Sequence, residues 1–111
     1  MNKKITVVRI EPKRAPEIVT VTDTLKSLQE AIRGNIEIVQ CGAEHFRHCV
    51  LIIDEEGKLK GLEPNPYATQ LYGAAYDCIV GPALLCGTDR FGDVADLPRG
   101  MLRRYGDVDD H

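Results

Sequence analysis

The chain has 111 residues, 43% of them hydrophobic and 28% charged, which is the make-up of one folded globular domain and too little chain for two conventional cores. With 14 basic against 17 acidic residues the net charge is −3, so no basic footprint draws the chain to DNA or RNA, and direct nucleic-acid binding is set aside. No apolar run approaches the roughly 18 residues that span a bilayer, which sets aside a membrane protein.

The first element is a strand over residues 5–10, where Ile5-Thr6-Val7-Val8-Arg9-Ile10 is β-branched and partly alternating. Asn2-Lys3-Lys4 leads into it without an apolar leader or a small-residue cleavage site, so a cytoplasmic protein is expected. In that compartment Cys41, Cys49, Cys78 and Cys86 are expected to be reduced thiols. After a connection containing Pro12 and Pro16, residues 17–21 repeat the strand character and are expected beside the first strand. Thr22-Asp23-Thr24 offers cap chemistry for a helix over residues 25–33. Leu25, Leu28 and Ile32 form its core stripe, Lys26, Glu30 and Arg33 face water, and Gly34 is the left-handed stop.

A third strand follows over residues 36–39, and after the polar stretch 42–48 comes Cys49-Val50-Leu51-Ile52-Ile53, an apolar run that predicts a central strand buried on both faces. Asp54-Glu55-Glu56-Gly57-Lys58 reads as the turn of a hairpin whose return strand is residues 59–62. Asn65 then suits an N-cap, Pro66 the first helical position and Gly73 the stop of a short helix, with Ala68, Leu71 and Tyr72 facing inward. Residues 77–86 make one long strand or two shorter ones, because Gly81-Pro82 demands a bulge or an edge. A last short helix is expected within residues 93–105 around Pro98, Met101 and Leu102. Together these elements predict a single α+β domain over residues 1–106 and an acidic C-terminal tail over residues 107–111. Its sheet is mixed and mainly antiparallel and takes in residues 5–10, 36–39, 50–53 and 79–80. One principal helix packs on one face, with short additional helices.

Leu25-x-x-Leu28-Gln29-Glu30, Gly34-Asn35-Ile36-Glu37, Asp54-Glu55-Glu56-Gly57-Lys58-Leu59-x-Gly61-Leu62-x-Pro64-Asn65 and Asp77-x-Ile79-Val80-Gly81, in this order, resemble a family of short proteins of phages, plasmids and bacteria known as domain of unknown function 3846. The resemblance covers about two-thirds of the chain and implies an accessory protein without an established activity. Glu37 and Asn65 match characteristic positions of the family. The cysteines and histidines between Cys41 and Cys49 depart from its usual pattern.

Cys41-x3-His45-x2-His48-Cys49 brings thiolate and imidazole, the preferred zinc ligands, close in sequence. The spacing is not that of a standard finger, and a buried strand cysteine beside two surface histidines is the favoured reading. No metal or other cofactor is assigned. A cysteine nucleophile lacks a visible orienting group or oxyanion donor, so the chain is read as non-catalytic.

Glu37 alternates with Ile36 and Ile38 and is either an exposed strand carboxylate or the hydrogen-bond acceptor of a pocket beside the sheet. Asn65 is explained as a helix cap, a role in which Asp or Ser would serve as well. The same helix start, near Tyr67, would suit an anionic ligand. Arg90 beside Phe91 and Arg103-Arg104 beside Tyr105 add cationic and stacking surface. Without a GxxxxGK[ST] loop, nucleoside-triphosphate hydrolysis is disfavoured. The expected ligand-binding set is therefore Glu37, Asn65, Tyr67 and Arg90, and the expected function is capture of a nucleotide-like or other small anionic ligand. The alternative is an interaction module that inhibits or modulates a host protein through a sheet edge, the hairpin or the Gly81-Pro82 break. Assembly into a homo-oligomer is left open.

Overall fold

The computed structural model describes residues 3–74 and 77–106, so the expected tail at 107–111 lies outside the described residues. The chain runs β1 (Lys4–Ile10), β2 (Glu17–Thr22), α1 (Leu25–Ile32), β3 (Ile36–Gln40), β4 (Cys49–Asp54), α2 (Pro66–Tyr72), β5 (Ala83–Thr88), β6 (Val94–Ala95) and α3 (Arg99–Leu102). The strands form one open sheet in the order β2-β1-β5-β4-β3, with β6 paired to β5 and every strand pair antiparallel. β2 and β3 are its edges.

Strand periodicity divides the apolar residues between the two faces. Ile5 and Val7 of β1, Val50 and Ile52 of β4, and Leu84 and Cys86 of β5 point to one face, where they pack with Leu28 and Ile32 of α1. Val8, Ile10, Cys49, Leu51, Ile53, Ala83 and Leu85 point to the other and pack with Ala68 and Leu71 of α2, Leu102 of α3, Cys41 and Phe46. Both faces are thus covered, which is why β4 is buried along its whole length as expected from its continuous apolar run. α1 has 8 residues and α2 has 7, so no single helix dominates by length.

Several local expectations are corrected. Residues 55–61 wind into overlapping turns and form no return strand, so the hairpin is absent. Asp54 Oδ1 accepts from the Glu56 amide at 2.8 Å and Lys60 Nζ folds back onto Asp54 Oδ2 at 2.7 Å, which coils the chain before a strand can pair. Residues 79–80 are not a strand. Val80 makes an isolated bridge to Pro64, and the ladder starts at Ala83, after the Gly81-Pro82 break. Gly81 has φ +75°, a left-handed backbone that favours glycine, and a Cβ there would sit 2.6 Å from Leu62 Cδ1, so the leucine would have to shift for any other residue.

At the end of α1 the left-handed residue is Arg33 (φ 66°), not Gly34. Gly34 is instead a point of close approach, since a Cβ there would lie 2.5 Å from Lys60 Nζ and 2.6 Å from Asp54 Oδ2. Arg33 is tied by two hydrogen bonds to the Glu11 carboxylate, at 2.9 and 3.2 Å. Leu25 leaves the expected core stripe and is 61% exposed, while Leu28 and Ile32 are buried.

Candidate functional site

The short α1 leaves part of its sheet face uncovered. Between α1, β3 and the β5–β6 turn lies an open groove of about 540 Å³. Leu25 and Leu28 form one wall, Ile36 and Ile38 the other, and Val94 closes the end. Period-two geometry puts Ile36 and Ile38 on the same side of β3, and among the described residues no strand lies beyond this edge. Ile38 is 51% exposed as a result. Two large apolar side chains, Leu25 and Ile38, therefore stand half in water on opposite walls of one depression. Such an arrangement is informative in a way a single scattered leucine is not.

The rim of the groove is polar and mainly acidic, carrying Asp23, Asp89 and Asp93 against Lys3. Asp89 also shapes the turn, its Oδ1 accepting from the Phe91 and Asp93 amides at 2.9 and 3.0 Å. β6 is held against β5 by the close approach at Gly87, where a Cβ would lie 2.2 Å from the Asp96 carbonyl oxygen. Asp96 Oδ1 in turn accepts from the Thr6 amide at 2.7 Å, and the Leu97 amide donates to Thr6 O at 2.9 Å. These contacts fix the turn that bears the acidic rim to the rigid sheet.

The residues expected to bind a ligand are distributed rather than gathered. Asn65 is 1% exposed, and its side chain is fully engaged within the fold. Its Oδ1 accepts from the Ala68 amide at 3.3 Å, the expected cap, and its Nδ2 donates to Ile10 O at 2.9 Å and Gly81 O at 2.8 Å. Asn65 thus pins α2 to the end of β1 and to the Gly81-Pro82 break. Tyr67, two residues on, is half-buried, and its hydroxyl meets that of Tyr105 at 2.7 Å. Burial and that hydrogen bond push the Tyr105 hydroxyl pKa above its ordinary value.

Glu37 is exposed on the face opposite the groove and borders a depression of about 240 Å³ with Ile53, Lys58, Asp77 and Ile79. Neither Asn65 nor Tyr67 borders it. Lys58 and Asp77 there are ion-paired with each other. Arg90 lies beyond the other end of β5 from Gly81, on the β5–β6 turn, with its guanidinium 4.9 Å from the centre of the exposed Phe91 ring. Arg104 stacks over Phe46, at 5.3 Å, rather than on Tyr105.

The cysteines and histidines also diverge. Cys41 and Cys49 point into the core, whereas His45 and His48 face solvent, and among the described residues no three His, Cys, Asp or Glu side chains converge as metal ligands. Burial pushes the Cys41 thiol up to about 12, helped by the neighbouring Cys49, and burial raises Cys49 and Cys86 as well. Thiols held protonated in this way are poor nucleophiles and packed as small hydrophobes.

The groove was missed in the sequence because its parts are far apart, at residues 3, 23–28, 36–38 and 89–94. The one local signal was the excess of apolar character in β3: both Ile36 and Ile38 lie on the face shared with α1, although a helix of two turns is too short to cover both.

A family model described as Domain of unknown function (DUF3846) matches residues 5–108. No curated protein matches the chain. A solved structure described as "Crystal structure of small RNA methyltransferase HEN1" is similar over 95% of this chain, with a TM-score of 0.62 and 19% identity. The chain spans 16% of the length of that protein, and at this identity the likeness is one of fold.

Proposed function

The chain belongs to the domain of unknown function 3846 family, and from that premise we propose that it works by binding a segment of another protein in the groove between α1 and β3. The observation that carries this is the pair of half-exposed apolar residues, Leu25 and Ile38, facing each other across a groove whose rim is polar and mainly acidic. Exposed apolar surface rimmed by polar groups is the usual mark of a docking site. The carboxylates of Asp23, Asp89 and Asp93 favour a partner segment that alternates apolar residues with Lys or Arg, since complementary rim charge steers encounter and disfavours acidic competitors.

We read the groove as a binding site without catalysis and assign its ionisable groups, Asp23, Asp89, Asp93 and Lys3, to partner recognition. Capture of a small anion has weaker support. At the start of α2 the buried Asn65 side chain already takes the Ala68 amide, and the groove is rimmed by like charge.

Fluorescence anisotropy with short synthetic peptides tests the proposal. Peptides of alternating apolar and basic residues are expected to bind, peptides of the same apolar residues with acidic partners are not, and Leu25→Glu is expected to weaken binding by at least about tenfold, equivalent to ~1.4 kcal/mol. Equal binding of basic and acidic peptides, or no effect of Leu25→Glu, would sink it.

A further inference from the structure

β3 has a free edge whose hydrogen-bonding phase is set by its pairing to β4. The Cys41 amide donates to Cys49 O at 3.1 Å and the Glu55 amide donates to Asn35 O at 2.9 Å, so the odd-numbered residues from 35 to 41 turn their backbone groups towards β4. By the alternation of an antiparallel ladder, Ile36, Ile38 and Gln40 turn theirs outward. Among the described residues no strand pairs with that side. Edge strands that stay single are commonly guarded by charged side chains, Lys above all, by Pro or by a bulge; Ile36-Glu37-Ile38-Val39-Gln40 has the single charge of Glu37 and no Lys, Pro or bulge.

From this geometry we infer that β3 pairs with β3 of a second copy of this chain, antiparallel about a two-fold axis through Ile38. In that register Ile38 faces Ile38 of the second copy, Ile36 faces Gln40, and Glu37 faces Val39. All three outward-facing residues then fall in hydrogen-bonded pairs. The only charged side chain of the strand meets an apolar one and no like charge stands opposite another. Ile38, half-exposed among the described residues, is covered further at the axis.

The other edge strand offers less: of its outward-facing residues Ile18, Thr20 and Thr22 the middle one is Thr20, so an axis there sets no large apolar side chain against its copy. Because the axis is perpendicular to the sheet, the α1 faces of the two copies lie on the same side. The two grooves, each walled by Ile36 and Ile38, then meet in the middle. The two associations share Ile38, but the test of dimerisation uses no partner segment, so its failure and that of the groove are read separately.

Disulfide trapping reads the register directly. Residues of a hydrogen-bonded antiparallel pair have Cα atoms about 5.5 Å apart, within the span of a disulfide. In a Cys78→Ser background, which removes the exposed native thiol, Ile38→Cys is expected to yield a covalent dimer under mild oxidation, while Thr20→Cys stays monomeric. Sedimentation equilibrium supplies the second measurement. The unmodified chain is expected to dimerise between roughly 10 µM and 1 mM, and Ile38→Lys, which sets two ammonium groups against each other at an exposed position, is expected to weaken dimerisation by about a hundredfold with unchanged circular dichroism. A chain that stays monomeric throughout that range overturns the inference. So does a dimer that persists undiminished in Ile38→Lys, or equal cross-linking at positions 20 and 38.

Discussion

Replacing Asn65 with aspartate separates a simple helix cap from the buried tie observed in the fold. A cap alone accepts Asp, Asn and Ser about equally. In the fold, however, Nδ2 of Asn65 donates to two carbonyl oxygens, Ile10 O at 2.9 Å and Gly81 O at 2.8 Å, at a site 1% exposed to solvent. Asn65→Asp keeps the acceptor for the Ala68 amide but sets a carboxylate oxygen against both carbonyls. Leaving two buried carbonyls unpaired costs about 1–3 kcal/mol each, so a loss of roughly 3–5 kcal/mol is expected at pH 7, a large part of the 5–15 kcal/mol that holds a typical domain together.

The loss should depend on pH. A protonated carboxyl restores one donor, so the folded-state pKa of the introduced Asp is raised above its unfolded value of about 3.9. Its penalty is then smallest below that unfolded value and grows as pH rises through the folded pKa. Urea unfolding followed by circular dichroism at pH 4 and pH 7, at low temperature so that the variant remains folded, measures both effects. An Asn65→Asp protein within ~0.5 kcal/mol of the parent at pH 7 would refute the tie and return Asn65 to a cap.

Gly87→Ala should lower stability by about 1–3 kcal/mol or more, because its Cβ would lie 2.2 Å from the Asp96 carbonyl oxygen, and a thermal melt unchanged from the parent would contradict that close approach. Arg33→Gly relieves a left-handed residue at φ 66° but removes an exposed pair with Glu11, two effects of ~1 kcal/mol in opposite senses; a denaturation midpoint close to the parent's is expected, and a loss above ~2 kcal/mol would show that the ion pair dominates. In iodoacetamide labelling at pH 8, Cys78 should react readily while Cys41, its thiol held near 12, is slower by over about a hundredfold, since the thiolate is the reactive species. Comparable rates at the two positions would show that Cys41 is not held protonated in the core.

The strands and helices that sequence reading found were those whose evidence is local. The alternation in β1, the apolar run of β4 and the Asn65-Pro66 start of α2 each state their structure within a few residues. The errors arose where distant partners decide. Asp54 and Glu55-Glu56-Gly57 read as a hairpin turn, but Lys60 folding back on Asp54 coils the segment. Gly34 looked like a left-handed stop, whereas the space it leaves is filled by Lys60 and Asp54, and Arg33 takes the strained conformation. For Asn65 the cap could be read from sequence, but the two carbonyls it ties come from residues 10 and 81 and could not. The groove has the same character, since its walls come from three separated stretches of chain.

A comparison of two titrations followed by amide NMR bears most directly on the proposed groove. Adding a peptide of alternating apolar and basic residues is expected to shift the resonances of Asp23, Leu25, Ile36, Ile38, Asp89 and Asp93 together, and adding a nucleotide is expected to shift none of them. Shifts produced by the nucleotide around Asn65 and Tyr67, with the groove resonances unmoved by the peptide, would contradict the account.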